Sequence, residues 1–246
     1  MRNPKWHRDE ILLALDLYFD PNRGSIDARN PKVVALSTLL NQLPLFTSRP
    51  DEERFRNPNG VSLKLSNFLA IDPEYPGKGM QSYSNLDETI FHEFVHDQER
   101  LRQIAHQILA VAANETLKQD LAEIGTDDYT DDFTVQEGEI LYRLHKYRER
   151  NRKLVAAKKK AVLQAKGQLA CEICGFDFFK TYGELGRNFI ECHHIQPLSS
   201  YDANRTTKLD DLATVCANCH RMLHRNTGLL TVEALRSSLN DMHNKS

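Results

Sequence analysis

The chain has 246 residues, and its 32 Lys and Arg residues against 34 Asp and Glu residues give a formal net charge of −2 at pH 7. Its 40% hydrophobic and 27% charged residues are ordinary for a globular protein and exclude wholesale disorder. No apolar run reaches the ~18 residues of a membrane helix, and the polar start, MRNPKWHRDE, predicts no secretory signal. We therefore expect one or two domains in a reducing cytoplasm, where disulfides are rare.

The charge is distributed unevenly along the chain. Residues 120–139 carry eight acidic side chains and no basic one, whereas residues 140–166 carry ten basic residues and one acid, Glu149. We predict a domain at 1–119, an acidic linker followed by a long basic helix at 120–166, and a second domain at 167–246. The basic helix is dense enough in charge to bind a polyanion, although pairing with the acidic linker in solvent is an alternative.

Apolar residues recur at helical spacing in five stretches of the chain. These stretches are 8–19, 33–43, 61–69, 86–121 and 137–166. The third also alternates like a strand, and the fourth is long enough for two helices. Prolines and glycines predict loops at 44–60 and 72–79. The fold class expected is therefore α+β and mainly helical, with a helical N-terminal domain and a long basic linker helix.

Basic and amide side chains gather around a glycine turn in the first domain. Arg and Asn side chains read base edges and Lys holds phosphates, so we expect a DNA-binding surface here. Its residues are Arg54, Arg56, Asn57, Asn59, Lys64 and Asn67. Residues 61–69 would be the reading helix of a helix–turn–helix-like unit. The alternative is a solvated face of a helical scaffold.

Two further features of the first domain have open interpretations. Tyr75, Lys78 and Tyr83 offer the aromatic and cationic groups that a pocket for a modified base or a phosphorothioate needs, and the sequence does not separate these ligands. His92 to His96 matches H-E-x-x-H, the motif of zinc peptidases. Because no third ligand follows at the usual spacing, a surface helix rich in His and Glu is the preferred interpretation.

Four of the five cysteines form two C-x2-C pairs. These are Cys171 with Cys174 and Cys216 with Cys219. Two tight turns of this kind supply the four sulfurs of a tetrahedral zinc site, and the alternatives are buried free cysteines or a redox dithiol. Plain zinc ribbons separate their pairs by ~15–20 residues, so the 41 residues here predict an inserted element. Cys192 is interpreted as a small buried hydrophobe.

Four histidines lie close to the second cysteine pair in sequence. On a strand, His193 and His194 would point to opposite sides, so one can ligate a metal while the other acts as a general base. On a helix, His220 and His224 lie one turn apart on one face, which is the spacing of two metal ligands. Surface histidines, core histidines and spare zinc ligands are the alternatives.

The combined motifs resemble the HNH endonucleases of the ββα-metal type, in the branch with two zinc knuckles, and are most similar to McrA-type restriction endonucleases. The resemblance covers about residues 137–226 and rests on ACEICGFDF, FIECHHIQPLS and DLATVCANCHRMLHR. It implies a C-terminal ββα-metal domain in which His193, His220 and His224 hold a catalytic divalent ion, such as Mg or Mn, and His194 activates water. The Asn that orients this base in the family is replaced by Asp211, so the resemblance implies Asp211 or Asn218 in that role.

The resemblance also implies a function, which is single-metal hydrolysis of phosphodiester bonds in double-stranded DNA beside a structural zinc. We expect a restriction enzyme dependent on methylated cytosine or phosphorothioate, and a homodimer is one way to cut both strands. The basic helix is expected to contact the phosphate backbone of DNA through Arg148, Arg152, Lys158 and Lys159. The alternatives are a non-catalytic zinc-knuckle DNA-binding protein and a homing or recombination nuclease without modification dependence.

Overall fold

The chain contacts of the computed structural model divide the protein into two compact units. One contains residues 1–123 with 138–140, and the other contains residues 124–137 and 141–246. The structure describes residues 3–46, 48–77, 82–122, 138–149, 151–195, 207–225 and 230–243. Most of the predicted acidic linker lies outside these residues, and the domain boundaries at 119 and 166 stay predictions.

The regular structure of the N-terminal unit is helical in the residues that are described. Its helices are α1 (Arg8–Phe19), α2 (Pro31–Leu40), α3 (Pro58–Ile71), α4 (Asn85–Phe94), α5 (Gln98–Ala112) and α6 (Glu115–Ala122). The helix predicted over 8–19 is confirmed with the same bounds, and residues 61–69 are helical rather than extended. The stretch 86–121 holds most of three helices because Asp97 and Asn114 each accept a backbone N–H at a new helix start.

The first helix, α1, is the centre of the N-terminal unit and packs against α2, α3, α4 and α5. Most of its apolar side chains are buried, and so are Arg8, Asp9 and Glu10 in its first turn. Buried charges destabilise a fold unless they are paired, and these are paired: Arg8 Nη2 lies 2.5 Å from Glu93 Oε2. Asp9 accepts the backbone N–H of Glu139 at 2.9 Å and so caps the start of the helix that begins at Glu139.

The remaining elements lead into a small sheet and two closing helices. They are α7 (Glu139–Glu149), α8 (Arg152–Lys166), α9 (Phe178–Tyr182), β1 (Glu191–His194), β2 (Leu212–Val215), α10 (Ala217–Arg225) and α11 (Val232–His243). The prediction of one continuous helix over 137–166 is wrong. Asn151 is extended and its side chain accepts the N–H of Leu154, which starts α8 as a separate helix.

The sheet and the helix after it form a ββα arrangement. Strands β1 and β2 are antiparallel, with His193 opposite Ala213 and His194 opposite Leu212. Helix α10 packs against β1 and α11 packs against α10. A buried cluster that includes Ala213, Val215 and Leu223 lies at this junction. The α+β, mainly helical fold class is therefore confirmed.

The helix–turn–helix-like unit predicted around residues 61–69 is wrong, and the structure does not support the peptidase interpretation that the sequence already disfavoured. The connection from α2 to α3 takes residues 41–57, whereas a helix–turn–helix needs a turn of roughly 3–4 residues. The H-E-x-x-H match loses its helical geometry because α4 ends at Phe94, two residues before His96. The described residues contain no cluster of metal-ligating side chains that includes His92 or His96.

None of the described helices has the length and apolar character needed to cross a bilayer.

Candidate metal centres

The two cysteine pairs come together in one cluster. The sulfur atoms of Cys171, Cys174, Cys216 and Cys219 all lie within 4.8 Å of one another. Each pair sits in a tight turn: the N–H of Gly175 donates to the carbonyl of Cys171, and the N–H of Cys219 donates to the sulfur of Cys216. Gly175 has a φ of 75°, which favours glycine, so the first turn can close. Four sulfurs held this closely fit a tetrahedral zinc ion.

The surroundings of the thiols also fit a bound cation. Burial opposes ionisation of Cys171, but backbone N–H groups, first that of Cys174, lower the pKa of this thiol below its ordinary value. Burial and the charge on Cys171 raise the pKa of Cys219. Negative sulfurs repel one another in such a cluster, and a divalent cation removes this repulsion. The donor set therefore suits a closed structural metal site.

Three histidines form a second cluster. Donor nitrogens of His193, His220 and His224 lie within 4.8 Å of one another, and Nε2 of His220 is 3.0 Å from Nε2 of His224. The strand supplies the first ligand, and the predicted helical spacing of the other two is confirmed on α10. Three imidazoles grouped in this way are a donor set for a transition-metal ion, and they leave the fourth position of a tetrahedral ion to another ligand.

A carboxylate that the sequence interpretation did not single out supports the histidine cluster. Oε2 of Glu191 lies 2.5 Å from Nδ1 of His220. Nδ1 of His220 therefore donates to Glu191, and Nε2 is left to face the cluster. Metal-ligating histidines are commonly oriented by such a carboxylate. Strand alternation could have identified this residue, because Glu191 and His193 are two apart and share a face of β1.

His194 lies in β1 but belongs to neither cluster. Only 2% of its surface is exposed. Asp211 caps a short 3-10 helix (Leu209–Asp211) by accepting the N–H of Lys208, and its carbonyl accepts the N–H of Ile195. Asn218 is exposed in the first turn of α10. The assignment of His194 as base, oriented by Asp211 or Asn218, stays a prediction.

A single helix, α10, carries parts of both clusters. Cys219 contributes to the sulfur cluster, and the next residue, His220, contributes to the histidine cluster. The N–H of His220 donates to the carbonyl of Cys216 at 2.9 Å, so the second cysteine turn also begins the helix that presents the histidines. The position of His220 and His224 therefore depends on the geometry of the cysteine turn.

The N-terminal residues predicted to contact DNA separate into buried and exposed groups. Arg56 and Lys64 are buried, and this corrects the prediction for both. Arg56 donates to Glu10 at 2.6 and 2.7 Å, and Lys64 donates to both carboxylate oxygens of Asp87 at 2.7 and 2.8 Å. Their charges are used inside the helical unit, because a buried cation requires a partner.

The other predicted contacts in this unit are placed differently. Arg54 and Asn59 are exposed, whereas Asn57 is half-buried and caps α3 by accepting the N–H of Gly60 at 2.9 Å. Asn67 is half-buried. Lys78 lies outside the described residues. Tyr75 and Tyr83 are both partly exposed, at 38% and 40%.

The basic residues predicted to follow the phosphates lie on α7 and α8. Arg152 is exposed, and Lys158 and Lys159 are half-buried on α8. Nζ of Lys159 donates to the carbonyl of Asn188 at 3.3 Å. Arg148 belongs to α7, and its side chain lies outside the described part of the chain. Helix α8 contacts both strands of the sheet, so its basic residues belong to the same unit as the histidine cluster.

Comparisons with known proteins agree with this geometry. Residues 171–226 match the family model of the HNH endonucleases. Over 61 residues the chain is 43% identical to the type IV methyl-directed restriction enzyme EcoKMcrA of Escherichia coli K12. This stretch is 25% of the present chain and 20% of that relative. No solved structure matches the chain. The expected resemblance is confirmed: residues 171–226 match an HNH endonuclease domain, and this stretch contains both clusters that could hold a metal ion.

Proposed function

We propose that this chain is a DNA endonuclease whose HNH endonuclease domain hydrolyses phosphodiester bonds at the histidine cluster. The observation that carries this proposal is the convergence of His193, His220 and His224 beside a separate cluster of four cysteines. A site with three protein ligands leaves a coordination position for water or substrate, whereas a site with four is complete. This is the arrangement expected of a catalytic metal and a structural metal in one domain.

The two donor sets favour different ions. Cys171, Cys174, Cys216 and Cys219 suit zinc, because four thiolates complete its tetrahedral coordination. Three imidazoles suit Zn²⁺, Ni²⁺ or a similar transition ion better than Mg²⁺, which prefers oxygen ligands. Bound there, a divalent cation would stabilise negative charge on the phosphate and on the leaving oxygen. Glu191 would keep Nε2 of His220 aimed at that ion.

His194 is proposed as the general base that takes a proton from the attacking water. A histidine has a pKa near neutrality and can accept that proton without a large shift. His194 is buried, and catalytic contacts of such a base commonly tighten only when substrate binds. Asp211 or Asn218 would fix the imidazole of His194 in the orientation that the reaction needs.

The substrate is proposed to be double-stranded DNA, and modified DNA in particular. The basic side chains of α8 support binding to a phosphate backbone, because that helix contacts the strands of the site. The printed name of the E. coli relative describes a methyl-directed restriction enzyme, which favours a similar role for this chain. The N-terminal unit would supply recognition, and its remaining predicted contacts are Arg54, Asn57, Asn59, Asn67 and Lys78.

Cleavage of three matched plasmids tests this proposal. The plasmids are unmodified, cytosine-methylated and phosphorothioated, and each is incubated with Mg²⁺, Mn²⁺, Ni²⁺ or Zn²⁺. We expect cleavage of a modified plasmid, with more activity in transition ions than in Mg²⁺, and none with the His194→Ala variant. Equal cutting of all three plasmids would remove modification dependence, and cleavage by His194→Ala would remove His194 as the base.

A non-catalytic zinc-knuckle DNA-binding protein is the second candidate. It is favoured by Asp211, which stands where HNH enzymes resembling this chain have Asn, and by the burial of His194. The same assay separates the candidates. DNA binding without cleavage in any of the four ions would support the second candidate and overturn the first.

A further inference from the structure

An exposed group of apolar side chains lies between the first cysteine pair and β1. We call residues 176–189 the aromatic loop. Leu185 at its tip is 88% exposed, and Phe179, Tyr182 and Phe189 are 46%, 55% and 49% exposed. Single exposed apolar residues are common on protein surfaces, but four within eleven positions form a patch of the kind that marks a binding surface.

The aromatic loop is held in one conformation by its own packing. The ring of Phe178 lies against the rings of Phe176, Tyr182 and Phe189, with centroids 4.9, 6.0 and 4.7 Å away. Asp177 caps the short helix α9 by accepting the N–H of Lys180 at 3.0 Å. Gly186 lies so close to the backbone of Phe178 that a side chain there would collide with it. Leu185 therefore projects from a rigid base, which lowers the entropy lost on binding.

The charges around the aromatic loop favour a polyanionic partner. Helix α8 has six basic residues and no acidic one, and its Lys159 donates to the carbonyl of Asn188 in the loop. Lys180 and Arg187 flank the tip, and Arg187 lies over the ring of Phe179 at 4.8 Å. Glu184, the single acid between residues 178 and 190, is paired with Arg187. An apolar tip with cations on both sides suits a base step between two phosphates.

We infer that Leu185 inserts between stacked bases of duplex DNA, with Lys180 and Lys159 on the neighbouring phosphates. This inference rests on the proposed function, because it specifies how the same domain would hold its substrate. Apolar side chains that enter a base step unstack it and bend the duplex, which lets a small domain contact more DNA. The loop runs through Ile190 directly into β1, the strand that carries His193, so the bend would lie beside the histidine cluster.

The inference is tested with a duplex that the wild-type protein cuts. Each position of the duplex in turn carries 2-aminopurine, whose fluorescence rises when its base is unstacked, and the protein is used in a His194→Ala background to keep the DNA intact. We expect one position to brighten on binding. Leu185→Ser should remove the signal and weaken binding about tenfold, since one stacked or inserted side chain contributes on this scale.

Two control variants accompany this test. Leu185→Met keeps a long apolar side chain and should keep the signal, and Met242→Ser, which removes a 66% exposed apolar residue from α11, should change nothing. Unchanged fluorescence and affinity in Leu185→Ser would overturn the inference. A change in sedimentation mass caused by Leu185→Ser would also overturn it and assign the patch to a second copy of the chain. Absence of cleavage of every duplex by the wild-type protein would instead reject the proposed nuclease function, which is a different result from an unchanged signal in Leu185→Ser.

Discussion

Buried polar groups are accommodated differently in the two units of the molecule. In the N-terminal unit, Arg56 and Lys64 are neutralised by the carboxylates of Glu10 and Asp87. In the HNH domain, the buried or half-buried groups are mainly thiols and imidazoles grouped at distances that suit a metal ion. We therefore expect the stability of the first unit to depend on its ion pairs and the stability of the second to depend on its bound metal.

The largest expected effect comes from removing one sulfur of the cysteine cluster. Structural zinc contributes about 10–16 kcal/mol of apparent binding free energy to small domains at neutral pH, so Cys216→Ser should lose zinc and unfold the HNH domain. Because α10 also carries His220 and His224, cleavage should be lost as well. Zinc content and thermal unfolding followed by circular dichroism measure this. Cys192→Ala is the matched control, since Cys192 is buried but outside the cluster.

The ion pairs of the N-terminal unit predict the next largest effect. Arg56→Met leaves the carboxylate of Glu10 buried without its partner, and removal of one member of such a pair costs about 3–5 kcal/mol. Arg54→Met should cost about 0–1 kcal/mol, because the Arg54 side chain is 82% exposed. Urea unfolding of both variants measures the difference. Equal stability of the two variants would contradict the structural role given to Arg56.

A smaller effect is expected from the carboxylate that orients His220. Glu191→Gln should weaken metal binding at the histidine cluster by ~10–100-fold, as loss of such a partner does in other metal sites. Zinc bound by the cysteines should be unaffected, which distinguishes lost orientation from a damaged domain. Competition with a coloured chelator gives both affinities. Unchanged affinity at the histidine cluster would show that Glu191 does not support it.

A last expected effect is a pH dependence confined to the N-terminal unit. Burial alone would lower the pKa of His7, but the hydrogen-bonded carboxylates of Asp9 and Glu139 raise it to about 10. A raised pKa in the folded state means that the stabilisation is fully present below about pH 6.5 and is lost as the pH rises towards 10. The free-energy difference between wild type and His7→Gln in urea should therefore shrink from pH 6.5 to 10. A constant difference would contradict the ion pair.

Local sequence spacing predicted the helix that carries His220 and His224, and α10 confirms it, because helical spacing depends only on neighbours along the chain. The strand β1 is a condition of the His193 and His194 interpretation rather than a prediction from alternation, and the fold supplies it. The burial of Lys64 and its pairing with Asp87 could not be predicted in this way. Its spacing from Val61 and Phe68 places it on the apolar face of α3, but only the fold brings Asp87 from another helix to neutralise it. The break at Asn151 has a local cause, a capping side chain, which the apolar period alone does not register.

The most direct test of two separate metal sites is the number of metal ions bound per chain. The protein is saturated with Zn²⁺, freed of excess metal and measured by elemental analysis, together with the His224→Ala variant. Two ions per wild-type chain are expected, and one per His224→Ala chain, which should remain folded and fail to cut DNA. One ion per wild-type chain, or two ions and full cleavage in His224→Ala, would contradict a catalytic site at the histidine cluster.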